Sequence, residues 1–212
     1  QNTANSRVAY TYDRPKFATS FWFKRISTGS GIVIANGTAT TATTEWFIRF
    51  TSDKLEFTTT SSGVTAGQLV TTATYTSTSA AQHALFHYDS ANATSGNRMR
   101  LWVDGAEVTS FTADIAPSAA VDTLLQSVAV GAANGGAEPL SPCLIHQLAF
   151  FSGSLPAVGS LRDSVTGKPL NPSAVAGFFS MLTASNGNVA FDSGKGLNWT
   201  AGNEVVAAAF AP

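Results

Sequence analysis

Apolar and polar residues alternate in short runs along most of the chain. In MRLWVDG (99–105), Met99, Leu101 and Val103 alternate with Arg100 and Trp102. Asp104-Gly105 follows as a pair suited to the positive-φ positions of a two-residue turn, and AEVTSF (106–111) returns through Val108 and Phe111. The same signal recurs in TSFWFKRI (19–26), GIVIANG (31–37), EWFIRFT (45–51), KLEFTTT (54–60), LVTTATYTS (69–77), HALFHYD (83–89), QSVAVGA (126–132) and LIHQLAFF (144–151). These runs are rich in β-branched and aromatic residues and are bounded by turn clusters such as TSDK, SANATSGN and GAANGG. Short strands without intervening helical patterns predict an all-β sandwich or barrel rather than a βαβ fold.

The period changes beyond residue 156. NPSAVAGFFSML (171–182) places Asn171 as a helix N-cap, Pro172 at the first helical position, and Val175, Phe178, Phe179 and Leu182 at helical spacing. One short amphipathic helix is therefore predicted near 172–182. GNVAFD (187–192) and EVVAAAF (204–210) read as late strands that close or edge the same sandwich. The terminal EVVAAAFAP (204–212), with Val205, Val206 and Phe210, is too apolar for a free solvated end and is expected to dock, on its own sandwich or against a neighbouring subunit. No internal repeat and no Pro-, Gly- or Ser-rich linker divides the chain, so 1–212 reads as one domain whose segment 156–212 packs on the sandwich.

Composition narrows the partners. Charged residues make up 12% of the 212 residues, against roughly 25% in an average soluble domain. With 12 Lys and Arg against 13 Asp and Glu, the net charge is −1, and no basic cluster occurs. That balance excludes nucleic acid and anionic membrane as the main partner. Cys143 is the single cysteine, so no intrachain disulfide forms, and its setting in PCLIHQLAFF is that of a buried core thiol. No apolar run approaches the roughly 18 residues of a membrane span, and no charged-then-apolar leader opens the chain, so membrane insertion is not expected.

Taken in order, SRVAYTYDRPKFATSFWFKRISTGSG, EWFIRFTSDKLEF, HALFHYDSANATSGNRMRLWVDGAEVTSF and LIHQLAFFSGSLP resemble the concanavalin A-like, laminin-G-like jelly rolls of bacteriophage and marine viral structural proteins. In that family an early sFWxKR strand is followed by a hairpin of the form (H)hxxYD…NRhxhWVDG, then by a strand ending in an aromatic pair and a small turn. The resemblance covers residues 6–155 and fades beyond 156. It implies an antiparallel jelly-roll β-sandwich in which the 99–111 hairpin is scaffold. It further implies a non-enzymatic protein of the virion surface, a tail fibre, spike or capsid decoration, whose partners are other virion proteins, its own copies in an oligomer or array, and a host-surface glycan. A disulfide-free chain suits folding in a reducing bacterial cytoplasm before release. The fold alone supports an alternative, an extracellular carbohydrate-binding lectin or a module appended to a bacterial extracellular protein.

Glycanases of this fold, as the resemblance implies, carry two or three carboxylates in a row such as E-x-D-x-x-E, because retaining cleavage sets an acid and a nucleophile about 5 Å apart. Asp53, Asp89, Asp104, Asp163 and Asp192 instead stand singly at turn-like positions, so no catalytic residue is assigned. His83 and His87 have zinc-like spacing only on a helix; on a strand they stand roughly 13 Å apart, too far for one ion. They read as strand histidines, and His146 reads as a third. No G-x-S-x-G, Walker loop or C-x-x-C is present. Some laminin-G-like and pentraxin-like relatives bind calcium in rim loops, and DSANATSGN (89–97) offers Asp89, Asn92 and Asn97 as weak Ca2+ candidates. One carboxylate among amides is a poor cage, so an ordinary polar turn and no resident cofactor are expected. NGT (36–38), NAT (92–94) and NWT (198–200) fit the N-glycosylation pattern. Trp22, in a run apolar at both parities, and Trp46, in phase with Ile48 and Phe50, read as core. Trp102 shares the face of Arg100, and the pair is the candidate ligand-binding platform for a sugar; the other reading packs Trp102 under a loop, a crossing segment or a neighbouring subunit.

Overall fold

Turns built from residues that accept positive φ join the alternating runs. Asp104 (φ 50°) and Gly105 (φ 91°) set Val103 opposite Ala106, and Ser52 (φ 46°) and Asp53 (φ 65°) set Thr51 opposite Lys54. Two successive left-handed residues are what a type I′ hairpin loop requires. The computed structural model describes residues 7–8, 15–36, 44–61, 63–119, 128–130, 142–185 and 188–192. Its strands are β1 (Arg7–Val8), β2 (Lys16–Arg25), β3 (Gly31–Asn36), β4 (Thr44–Thr51), β5 (Lys54–Ser61), β6 (Val64–Thr71), β7 (Gln82–Asp89), β8 (Met99–Val103), β9 (Ala106–Glu107), β10 (Phe111–Ile115), β11 (Val128–Val130), β12 (Cys143–Ser152), β13 (Phe178–Ser185) and β14 (Asn188–Asp192). Among the described residues they form two antiparallel sheets, β1-β11-β3-β4-β5-β6-β10 and β14-β13-β12-β2-β7-β8-β9. This is the two-layer, all-β architecture of a concanavalin A-like jelly-roll sandwich. No helix among the described residues is long and apolar enough to cross a membrane.

Strand alternation decides what fills the space between the sheets. Phe17, Phe21 and Phe23 of β2 and Ala84, Phe86 and Tyr88 of β7 meet Trp46, Ile48 and Phe50 of β4 and Leu55 and Phe57 of β5 in one buried cluster. Ring pairs cross the layers: Phe17 with Trp46 at 5.2 Å, Phe23 with Phe50 at 5.3 Å, Phe57 edge-on to Phe86 at 5.4 Å. Each such buried ring contributes roughly 1.5–3 kcal/mol through the apolar area it removes from water. At the end of β2, Arg25 is buried over the Phe50 ring at 4.0 Å and donates to the carbonyls of Ser27 and Gly29 and to Asp53 Oδ1. Its charge is tolerated there because it is paired and hydrogen-bonded, and the pair ties the 52–53 turn to the rim of the core.

Three expectations require correction. No amphipathic helix forms at 172–182. Asn171 does cap, accepting from Ser173 N at 3.0 Å, but only a single 3-10 turn, Pro172–Ala174, follows, and Val175 is already extended. Gly177 at φ 78° then breaks any helical path, and Phe178–Ser185 adds to β12 as a strand. The return strand 106–111 is also not continuous: β9 ends at Glu107, and the chain leaves for the other sheet, where β10 pairs with β6. Finally, the run at 69–77 begins and ends earlier, as Val64–Thr71, while Tyr75 lies beyond the strand and packs edge-on against Phe23 at 6.2 Å. The segment 204–212, the GAANGG loop and the NWT sequon lie outside the described residues.

Candidate functional site

The outward face of the second sheet carries the polar and aromatic residues that the core excludes. The register stacks them in rows: Ala18, His87 and Arg100 in one, Ser20, Leu85 and Trp102 in the next, Trp22 and His83 in a third. From β12, Ala149 and Phe151 fall on the same face, opposite Ser20 and Ala18. The chain following β12 crosses this face. Leu155, Val158, Leu161 and Val175 pack with Ala18, Leu85, Ala149, Phe151 and Phe178, with Trp102 at the margin of the cluster. Two polar contacts seat the crossing segment. His87 Nε2 lies 3.0 Å from Pro156 O, and Gln147, turned out of β12 at φ 50° where the ladder is interrupted, donates to Leu170 O at 2.7 Å. Because a carbonyl only accepts, His87 carries its proton on Nε2.

Burial sets the ionisation on this face. It pushes the pKa values of His83 and His87 down to about 4; the Arg162 charge adds to the effect on His83, while the Pro156 carbonyl opposes it on His87. Both rings are neutral at pH 7. His146, opposite Trp22 on β12, is lowered by burial as well. His83 lies 5.1 Å from the Trp22 ring and bonds Ser20 Oγ through Nε2 at 2.8 Å. These histidines are thus packing and hydrogen-bonding residues of a covered sheet face.

Arg100 and Trp102 lie together as their shared parity requires. The Arg100 guanidinium stands 4.7 Å from the Trp102 ring centre and pairs with Glu107 across the hairpin at 2.7 and 2.5 Å, and the His87 ring lies on Trp102 at 4.5 Å. The half-buried indole thus lies between Arg100 and His87 at the margin of the cluster formed by the crossing segment. The calcium candidates fare differently. The Asp89 carboxylate pairs with Lys16 at 3.2 Å, Asn92 Oδ1 accepts from Thr94 N at 3.0 Å, and Asn97 is exposed in the next turn. That donor set does not fit a hard cation that wants six to eight oxygens, and no group of three His, Cys, Asp or Glu able to hold a metal occurs among the described residues. Trp46 lies in the core; Trp22 is buried too, but on the outward face.

Sequence reasoning passed over a cleft beside this platform. An opening of about 290 Å³ lies between the 104–105 turn and the segment 158–164, lined by Asp104, Gly105, Ala106, Val158, Arg162 and Ser164. The turn after Arg162 is built locally. Asp163 Oδ1 accepts from Thr166 N at 2.7 Å and Val165 N at 2.8 Å, bonds that hold its carboxyl below the usual range, and Gly167 at φ 68° lets Lys168 O return to Asp163 N. Arg162 and Pro169 are bridged across that turn. The available signal was the sequence RDSVTGKP, an Asp-to-Gly turn carrying a lone arginine.

Residues 3–157 match a laminin G-type family model described as the concanavalin A-like lectin/glucanases superfamily. Among solved structures, the native heptameric SAP-like pentraxin of Limulus polyphemus is similar with a TM-score of 0.57 and 13% identity, over 96% of this chain and 92% of that one. Domains LG4-5 of the mouse laminin alpha1 chain are similar with a TM-score of 0.52 and 11% identity, over 81% of this chain and 43% of that one. At these identities the likeness is one of fold. No curated protein matches the sequence.

Proposed function

The chain belongs to the concanavalin A-like lectin/glucanase superfamily, and from that premise we propose that it is a non-enzymatic adhesion module on the surface of a bacteriophage particle, part of a tail fibre, spike or capsid decoration. The observation that carries the non-enzymatic half is the state of the carboxylates. Asp53 is held by Arg25 and Gly29 N, and Asp89 by Lys16. Asp104 is held by His83 N and Gln82, and Glu107 by Arg100. Burial pushes Glu56 up, but hydrogen bonds from Arg49 and Thr58 and the Arg49 charge outweigh it, so this carboxyl stays below its usual range. Glycoside cleavage needs the reverse, one carboxyl kept protonated near neutral pH beside a second that is ionised.

The virion half rests on the serial agreement of residues 6–155 with phage jelly rolls and on a nearly neutral chain with a single cysteine. The family also contains lectins, which favours a second reading as an extracellular carbohydrate-binding module. Antibody raised against the chain separates the two. Binding to intact, purified particles from the source, with a regular copy number by quantitative mass spectrometry, is the expected result; detection only in particle-free supernatant overturns the virion assignment.

A further inference from the structure

Among the arginines with described side chains, all but one place the guanidinium in hydrogen bonds or an ion pair within the protein, although Nη1 of Arg25 is itself buried without a partner. Arg25 has Asp53 and two carbonyls, Arg49 has Glu56, Arg98 has the carbonyls of Asn92 and Pro117, and Arg100 has Glu107. Arg162 finds no hydrogen-bond acceptor or ion-pair partner among the described residues, and its Nε is buried without one. Leaving such a group unpaired costs more than leaving a neutral donor unpaired. The side chain is closely flanked by backbone. A Cβ on Gly167 would stand 3.0 Å from its Nη2, and one on Gly105 would stand 3.6 Å from its Nη1, so the guanidinium lies between the two glycine turns at the wall of the 290 Å³ cleft.

Asp163 feels the Arg162 charge, but no neighbouring acid among the described residues hydrogen-bonds or ion-pairs with the guanidinium. Asp163 turns its carboxylate to Val165 N and Thr166 N. Asp104, which lines the cleft, accepts from His83 N at 2.9 Å and Gln82 Nε2 at 3.1 Å. A carboxylate has roughly four lone-pair sites, so Asp104 retains capacity to accept from a hydroxyl while disfavouring a bare anion. Val158 and Ala106 supply apolar surface, and Ser164 a hydroxyl. The volume lies at the small end of the roughly 300–1,000 Å³ of ligand clefts, the scale of a single sugar ring.

We propose that this cleft binds an acidic sugar, its carboxylate on the Nη1 and Nη2 fork of Arg162 and a ring hydroxyl on Asp104. The assignment rests on the lectin-like reading above and names its ligand class. Charge and hydroxyl donors are both demanded: a neutral sugar leaves the guanidinium unpaired, and a simple carboxylate leaves Asp104 facing an anion. Fork-to-carboxylate pairing is the geometry in which Arg outperforms Lys.

The test is a titration of the ¹⁵N-labelled full chain with D-glucuronate, D-galacturonate, D-mannuronate and N-acetylneuraminate, each to tens of millimolar, beside glucose, galactose, mannose and acetate. At least one acidic sugar is expected to shift the amides of Gly105, Gly159 and Gly167 saturably and to bind at least tenfold more tightly than the neutral sugars and acetate. Arg162→Gln is expected to lose at least tenfold in affinity with its melting temperature kept, and Arg162→Lys to lose most of it; should the Gln variant unfold, the Lys variant carries the test. Binding of neutral sugar or acetate as tight as that of every acidic sugar, unchanged affinity in the variants, or no shift with any acidic sugar overturns the proposal. Neutral-glycan binding that shifts other amides overturns this site alone and leaves the adhesion reading standing.

Discussion

His83 and His87 illustrate how burial rather than spacing fixes a residue's chemistry. Both project outward from β7, yet the crossing segment covers them and their pKa values fall from 6.5 to about 4. The unfolded chain therefore binds more protons than the folded one between those values, so stability rises with pH through this window and is lost as pH falls from about 6.5 toward 4. By linkage each ring removes about 2 kcal/mol by pH 5, a pH still above the ordinary carboxylate titrations. Urea unfolding at pH 7 and pH 5 is expected to show that loss, and His87→Gln to show a shallower one; equal stability at the two pH values would contradict the buried-neutral assignment. Parity in the sequence placed Arg100 and Trp102 on one face, because alternation is a property of the strand itself. It left Arg162 unread: what distinguishes that residue is the absence of an acceptor for its guanidinium among the described residues, a three-dimensional fact with no local pattern.

At the scale of elements, the hairpins were legible and the C-terminal segment was not. Asp104-Gly105 encodes its turn through backbone conformation alone, and the observed register follows from it. Residues 171–182 carry a real cap signal in Asn171-Pro172, and an apolar run of that length satisfies helical and strand spacing alike. What decides between them is an unpaired edge of β12, supplied by residues far earlier in the chain. Gly177 is the hinge of that outcome. At φ 78° a Cβ there would stand 2.5 Å from Ser154 Cβ and 2.9 Å from Ser152 O. Gly177→Ala is accordingly expected to cost at least about 2 kcal/mol, strain at a left-handed position plus a backbone clash. The change is read as a lower urea midpoint at unchanged m-value; a neutral substitution would mean that the 177 turn is not packed on 152–154.

For the whole molecule, period-two alternation and the serial order of its motifs were enough for the sandwich. Strand order and the layer laid over the second sheet were not, because both depend on pairings between residues that are distant in sequence. The fold is held by aromatic packing between two sheets, with Lys16 occupying the Asp89 carboxylate that a rim cation would have used. Excess EDTA is therefore expected to leave the melting temperature unchanged. A fall of about 5 °C or more, roughly 1.5–2 kcal/mol for a chain of this size, would show that a metal supports the structure. The central claim is that this sandwich holds glycan without cutting it, and one measurement addresses both halves directly. The purified chain is incubated with immobilised host exopolysaccharide and with acidic and neutral polysaccharides, the retained protein is quantified, and the supernatant is analysed for oligosaccharides. Reversible retention with no oligosaccharide released over a day is the predicted result; sustained release that is abolished by substituting a single Asp or Glu, or retention on none of the surfaces, would contradict it.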